Sequence, residues 1–362
     1  MIKTIRVLHT EWSNGWGGQE IRIIHEMKMM RSEGAEVYLA CRENSMIKDE
    51  AIANNIKVFS LPFRGNTDLK TLFHLKKIIK YYSIDIVNTH SGKDTWVGGL
   101  AAKLTGVKFV RTRHLSNKIN PSRLNFINEL ADYIFTTGEK VRDDMIEYNR
   151  IKANKIISIP TGIDESIFNP ESFNREECRK KLTINDSEIA IGILAVLRQF
   201  KRHDLFLKMA KSLIKKYPGK SLVFIIAGNG PQKENIEKIV NDLNLAENVK
   251  MVGHINNVPE FLCAIDILVL SSDSKEGVPQ SVMQGLFMNK PVVSSDSGST
   301  RDLFNHNNFQ LIQKGSIEAL INGVSIYLDN MNEVSSRKYM MENFSSSVMV
   351  KKIMTSYEKI LE

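Results

Sequence analysis

Short apolar runs alternate along this chain with stretches whose apolar residues recur at helical spacing. In the first half the runs at 5–9, 37–41, 57–60, 84–88, 108–112 and 133–137 predict strands. In the second half the runs at 189–197, 221–227, 249–252, 267–270, 291–293 and 309–312 do the same. Many of these runs are apolar throughout, the pattern of strands buried on both faces of a parallel sheet. Between them lie helical patterns such as 20–31, where Ile23, Ile24, Met27 and Met30 form one apolar stripe, and 280–288. This alternation predicts an α/β protein with doubly wound parallel sheets, closed by a last helix over about 345–361.

At 362 residues the chain exceeds the roughly 250–300 at which a single hydrophobic core stops growing, so two domains are expected. The boundaries fall at 1–160, 161–344 and a terminal helix at 345–362, with turn chemistry (Pro160, Gly162, Pro170) at the first junction. No apolar run approaches the ~20 residues of a membrane-spanning helix. The opening MIKTIRVLHTEW reads directly as a first strand, not a signal peptide. Cys41, Cys178 and Cys263 fit neither a disulfide framework nor a zinc site, which points to a reducing cytoplasm. The net charge of +8 is carried entirely by residues 1–160, with 25 Lys and Arg against 17 Asp and Glu. Such asymmetry is either a surface feature or the mark of an anionic partner for that half.

Candidate chemistry gathers where predicted strands end. After the first strand, Gly17 and Gly18 precede a helix, letting the backbone approach a ligand and aim N–H groups at it. The loop is neither the dinucleotide fingerprint nor a Walker loop. Trp12 and Trp16 beside it either cap the core or stack on a sugar ring. The fourth and fifth strands end in His90 with Lys93, and in Arg111, Arg113 and His114, with Lys118 and Arg123 completing a basic cluster. In the second half Arg198 and Lys201 follow a strand, where they would neutralise a diphosphate. The run 267–270 leads through a polar loop to Glu276, Gly277, Val278 and Pro279. Pro279 is placed at the first position of a helix carrying Gln280 and Gln284. In open α/β sheets, ligands bind at such carboxyl ends of strands.

Taken together, Glu276-Gly-Val-Pro, Gln284 eight positions later and the following Pro-Val-Val resemble the signature of the family-four retaining glycosyltransferases. The Gly17-Gly18 loop, the Gly162, Asp164 and Phe168 connection and the Ala227-Gly-Asn-Gly-Pro231 turn are similar to that family too. The resemblance implies the GT-B architecture, two Rossmann-like domains facing each other across a cleft, with the last helix returning to the first. It implies a nucleotide-diphosphate sugar as donor, with Gly17, Gly18, Arg198, Lys201, Gly277, Val278, Pro279, Gln280 and Gln284 around it. His114, Lys201 and Glu276 would serve transfer, and Trp12, Trp16, His90, Lys93, Arg111 and Arg113 would face the acceptor. This chain departs from the family at Gln284, usually Glu, at Thr161, usually Asn, and in the three-residue step from Arg198 to Lys201, usually longer. No Asp-x-Asp pair occurs, so neither a metal nor another cofactor is expected. The implied acceptor is a lipid-linked surface glycan such as lipopolysaccharide or capsule, reached from the cytoplasmic face of a membrane, with no nucleic acid involved. A nucleotide-sugar epimerase and a non-catalytic sugar-nucleotide-binding module stand as the alternatives.

Overall fold

A computed structural model of the chain describes residues 4–114, 119, 123–273, 276–305, 308–330 and 335–362. It separates into two compact units, Met1–Gly162 with Ser346–Glu362, and Ile163–Ser345.

The first unit holds a seven-stranded parallel sheet in the order β3-β2-β1-β4-β5-β6-β7. Its strands are β1 (Arg6–Glu11), β2 (Glu36–Cys41), β3 (Lys57–Ser60), β4 (Ile86–Thr89), β5 (Lys108–Arg113), β6 (Tyr133–Thr136) and β7 (Ile156–Ser158). The helices between them are α1 (Gly18–Ser32), α2 (Met46–Ala53), α3 (Leu69–Tyr81), α4 (Gly92–Thr105) and α5 (Glu139–Asn149). The stripe Ile23, Ile24, Met27 and Met30 of α1 is buried against the sheet, as its spacing predicts. Gly99 lets α4 lie close on the sheet, because a Cβ there would stand 2.6 Å from the Phe109 ring.

The second unit holds a six-stranded parallel sheet in the order β10-β9-β8-β11-β12-β13. In chain order it runs α6 (Arg175–Lys181), β8 (Ile189–Leu194), α7 (His203–Lys216), β9 (Leu222–Ala227), α8 (Lys233–Asp242), β10 (Val249–Gly253) and α9 (Val258–Ala264). It continues with β11 (Ile267–Leu270), α10 (Gln280–Phe287), β12 (Val292–Ser295), β13 (Gln310–Ile312), α11 (Ile317–Asp329) and α12 (Arg337–Phe344). Strands β9 and β11 are buried along their whole length, which explains their unbroken apolar sequence. Strand β8 stops three residues earlier than its apolar pattern suggests. Leu197 is buried, but as part of the turn that follows.

The last helix, α13 (Ser346–Leu361), belongs to the first unit. Its Met349, Val350, Ile353 and Tyr357 enter the core around β1 and α1. A polar network lies beneath. Arg22 of α1 pairs with Glu26 at 3.2 Å and donates to Ile159 O and Thr161 Oγ1, both at 3.1 Å. Asn88 Nδ2 donates to Tyr357 OH at 2.9 Å. The Thr that departs from the family pattern is thus bonded to a fully buried arginine. Among the described residues, no helix is long and apolar enough to cross a membrane.

Candidate active site

In the first unit, the carboxyl ends of β1, β4 and β5 are neighbours at one sheet edge. Glu11 ends β1, and its carboxylate gathers the following loop. It accepts from Ser13 N–H at 2.7 Å, Ser91 Oγ at 2.6 Å and Gln19 Nε2 at 2.5 Å. Asp94, a turn into α4, accepts from Thr10 Oγ1 and from the N–H groups of His90 and Ser91 at 2.8–2.9 Å. Burial, and then the charge of Asp94, push Glu11 up to about 7. Burial raises Asp94 to about 6. Two carboxyls so close underground resist simultaneous ionisation.

Three histidines form a chain from inside the sheet to its edge. His9 Nδ1 lies 2.9 Å from His90 Nε2, and His90 Nδ1 lies 2.9 Å from His114 Nε2. His9 and His90 meet edge to edge, with ring planes 8° apart. Burial depresses all three, His9 to about 3 and the others well below the usual histidine value, with the cations Arg22 and Arg113 adding to the effect at His114. These rings are neutral near pH 7.

The rest of the expected first-domain set divides. An added Cβ would meet nothing within 4 Å at Gly18, and only Glu20 Oε2 at 3.6 Å at Gly17. Packing therefore demands glycine at neither position. Trp12 is half-buried against the core, with Lys93 Nζ 4.0 Å from its ring centroid, while Trp16 is 38% exposed. Two acceptor-side candidates need correcting. His90 is enclosed between His9 and His114, and Arg111 is a buried residue of β5. Arg111 lies inside β5, which continues to Arg113 past the last apolar residue, and His90 follows the end of β4 with both ring nitrogens engaged. Burial brings Arg111 down to about 9. Arg113 is half-buried at the strand end. Lys118 and the side chain of Arg123 lie outside the described residues.

In the second unit the site is built on the end of β11. Glu276 is buried, and Lys201 Nζ lies 2.5 Å from its Oε1. Gly298, in the loop after β12, has φ +61°, and a Cβ there would stand 1.8 Å from the Glu276 carbonyl oxygen. Only glycine allows the two loops to touch there. Ser299 N–H donates to Gly277 O at 3.3 Å. Around this contact the hydroxyls of Ser272, Ser295, Ser297 and Ser299 are buried with no hydrogen-bond partner among the described residues. Pro279 is the residue before α10, not its first, so the N–H groups of the first turn begin at Gln280. Val278 packs against the core, Gln280 is exposed and Gln284 is half-buried one turn on.

Arg198 and Lys201 are engaged differently. Arg198 is extended (ψ 152°) just outside the turn Gln199–Lys201, so the two side chains lose the eclipsed alignment that three-residue spacing gives inside a 3-10 helix. Lys201 engages Glu276. Arg198 instead lines a separate cavity of 620 Å³ with Arg202, His203, Asp204, Gln232 and Asp273.

The family model of group 1 glycosyl transferases matches residues 174–345, and that of glycosyltransferase family 4 matches residues 16–167. The chain is a family-four, group 1 glycosyltransferase. It is 24% identical to the UDP-Gal:α-D-GlcNAc-diphosphoundecaprenol α-1,3-galactosyltransferase of Escherichia coli, over 98% of this chain and 96% of the relative. A glycosyltransferase from Rickettsia africae ESF-5 has a similar structure, with a TM-score of 0.90 at 19% identity over 99% of both chains. Anabaena HepE, solved with UDP and glucose, gives 0.81 at 17% identity over 98% of this chain and all of that one. The fold of this glycosyltransferase is accordingly GT-B. Glu11, His9 and Asp94, which the structure places at the candidate site, are not singled out by the sequence. Asp94 had a signal, the Ser-x-x-Asp capping box at Ser91. His9 had none, since it lies inside a strand.

Proposed function

We propose that the protein transfers a sugar from a nucleotide-diphosphate donor to a hydroxyl of a lipid-linked, phosphate-bearing glycan, with retention and without a metal. The observation that carries this reading is the Lys201–Glu276 pair, held by a left-handed glycine at the carboxyl end of β11 and beside the first turn of α10. A buried carboxylate suits the hydroxyls of a sugar. The adjoining ammonium and the backbone N–H groups of the first turn of α10 suit the charge that builds on a departing diphosphate. Such preorganised positive potential serves in place of a metal. The departing phosphate takes the proton of the acceptor hydroxyl as the new glycosidic bond forms on the same face of the sugar. In this reading His114 and the Gly17-Gly18 loop serve the donor sugar, and Gln284 bonds the ribose. The diphosphoundecaprenol-linked substrate named for the Escherichia coli relative supports a lipid-linked acceptor.

The membrane reading has its own support. Helix α3 carries Lys70, Lys77 and Lys80 on its exposed surface among exposed Leu69, Phe73 and Tyr81, and has no acidic residue. Apolar and cationic side chains interleaved in this way suit an anionic lipid surface. The enzyme then works as a peripheral protein at the cytoplasmic face. The test is a panel of nucleotide sugars with diphosphoundecaprenol-linked acceptors, with and without EDTA, following free nucleotide and product anomer. Acceptor-dependent release with an α-configured product from an α-donor supports the reading. An inverted product, or activity abolished by EDTA, overturns it.

A further inference from the structure

We infer that His9 and His90 are positioning residues that set the tautomer of His114, so that the outer ring nitrogen of His114 is a fixed hydrogen-bond donor in the sugar site. The inference rests on the proposed donor-binding role of His114. It comes from counting protons along the chain. A neutral imidazole has one N–H and one lone pair. With His9 Nδ1 against His90 Nε2, and His90 Nδ1 against His114 Nε2, both at 2.9 Å, only two arrangements bond all three rings. In one, every ring carries its proton on Nδ1, each bond points outward, and His9 Nε2 is a bare lone pair. In the other, every proton is on Nε2, the bonds point inward, and His9 Nε2–H is a donor.

The buried end decides between them. His9 is fully buried, and its Nε2 meets no hydrogen-bond partner among the described residues. Orphaned buried N–H groups are rare in folded proteins, and the arrangement with every proton on Nδ1 leaves none at His9. The chain therefore takes the outward direction. His114 accepts from His90 at Nε2 and carries its proton on Nδ1, the nitrogen that His90 does not engage. Burial, and then the cations Arg22 and Arg113, oppose a second proton on His114, and burial above all opposes one on His90. His114 is thus a neutral donor toward a sugar oxygen and not a base for the acceptor hydroxyl. Two residues that touch no substrate fix this polarity.

Histidine-selective 15N NMR tests it on the whole protein without any substrate, so its result is independent of whether the glycosyltransfer reading holds. The expected spectrum at pH 7 shows three neutral rings in the Nδ1–H form. Nε2–H forms, or a charged ring, overturn the inference. In His9→Leu the inner anchor is gone, and His114 should show both tautomers. Turnover should fall about tenfold with a smaller change in donor KM, the mark of a donor that is no longer preorganised. His90→Gln keeps an acceptor and a donor and should retain more turnover than His90→Leu. Equal loss in those two variants, or an unchanged His114 tautomer in His9→Leu, overturns it. Should the variants fail to fold, the wild-type spectrum still decides.

Discussion

Lys201 and Glu276 meet at 2.5 Å although 75 residues separate them, and both side chains are largely buried. The contact needs three local features. The turn at 199–201 places Lys201, the end of β11 delivers Glu276, and Gly298 holds the Glu276 backbone from behind. Removing one partner strands a buried charge, whereas removing both does not. Lys201→Met and Glu276→Gln should each lower the melting temperature, and the double variant should melt close to the parent. All three should lose turnover, by roughly 2–4 kcal/mol in barrier for Lys201→Met. A fully active Lys201→Met enzyme would remove Lys201 from the site.

Gln284 stands where the family usually has Glu. A neutral amide bonds ribose hydroxyls but lacks the charge-assisted acceptance of a carboxylate. Gln284→Glu should bind the nucleotide sugar at least as well, and Gln284→Ala should weaken binding by about 1–2 kcal/mol. Calorimetry with the donor that supports turnover measures both. Abolished binding in Gln284→Glu would show that this side chain does not face the ribose.

Two glycines should behave oppositely. Gly298→Ala forces a Cβ into the Glu276 carbonyl from a left-handed backbone and should cost at least about 1–3 kcal/mol of stability. Gly18→Ala meets no described atom and should leave thermal unfolding unchanged while weakening donor binding. A Gly18→Ala enzyme with normal donor affinity would mean that nothing approaches that backbone.

The pH dependence of stability should carry two opposing slopes. Glu11 ionises near 4.5 in the unfolded chain but near 7 in the folded one. Its stabilising share is therefore complete below pH 4.5 and is lost as pH rises through about 7. His9 is the mirror case. The unfolded chain takes a proton near 6.5 that the native ring refuses until about 3, so stability falls as pH drops below 6.5. Denaturant titrations from pH 5 to 8 should show a shallower decline toward high pH in Glu11→Gln than in the parent. Identical slopes would place the Glu11 transition outside this window.

Membrane attachment through α3 should be reversible by salt. Each Lys near an anionic surface contributes about 1 kcal/mol, and the attraction decays within a Debye length. Co-sedimentation with anionic vesicles at low salt should exceed that with neutral ones, and the combined Lys70→Glu, Lys77→Glu and Lys80→Glu variant should lose it. Equal sedimentation with both lipids would leave the first-half charge as a solubility feature.

By itself, the sequence determined the layers. Buried parallel strands must be apolar along their length and helices on one stripe, so β9, β11 and the α1 stripe were legible in hydrophobic spacing alone. Gly298 and Glu276 were visible as residues but not as a contact, because backbone approach between distant loops leaves no periodic trace. The same holds for the buried polar groups. His9 and Arg111 sit within strands like any other residue, and Arg22 and Glu26 carry only the i, i+4 spacing common on helices. Only the tertiary structure decided that these are interior, since burial of a polar group depends on partners such as His90 and Tyr357 that arrive from elsewhere in the chain. Spacing named the edge of each sheet where chemistry belongs, and packing chose which side chains stand there and which nitrogen faces out.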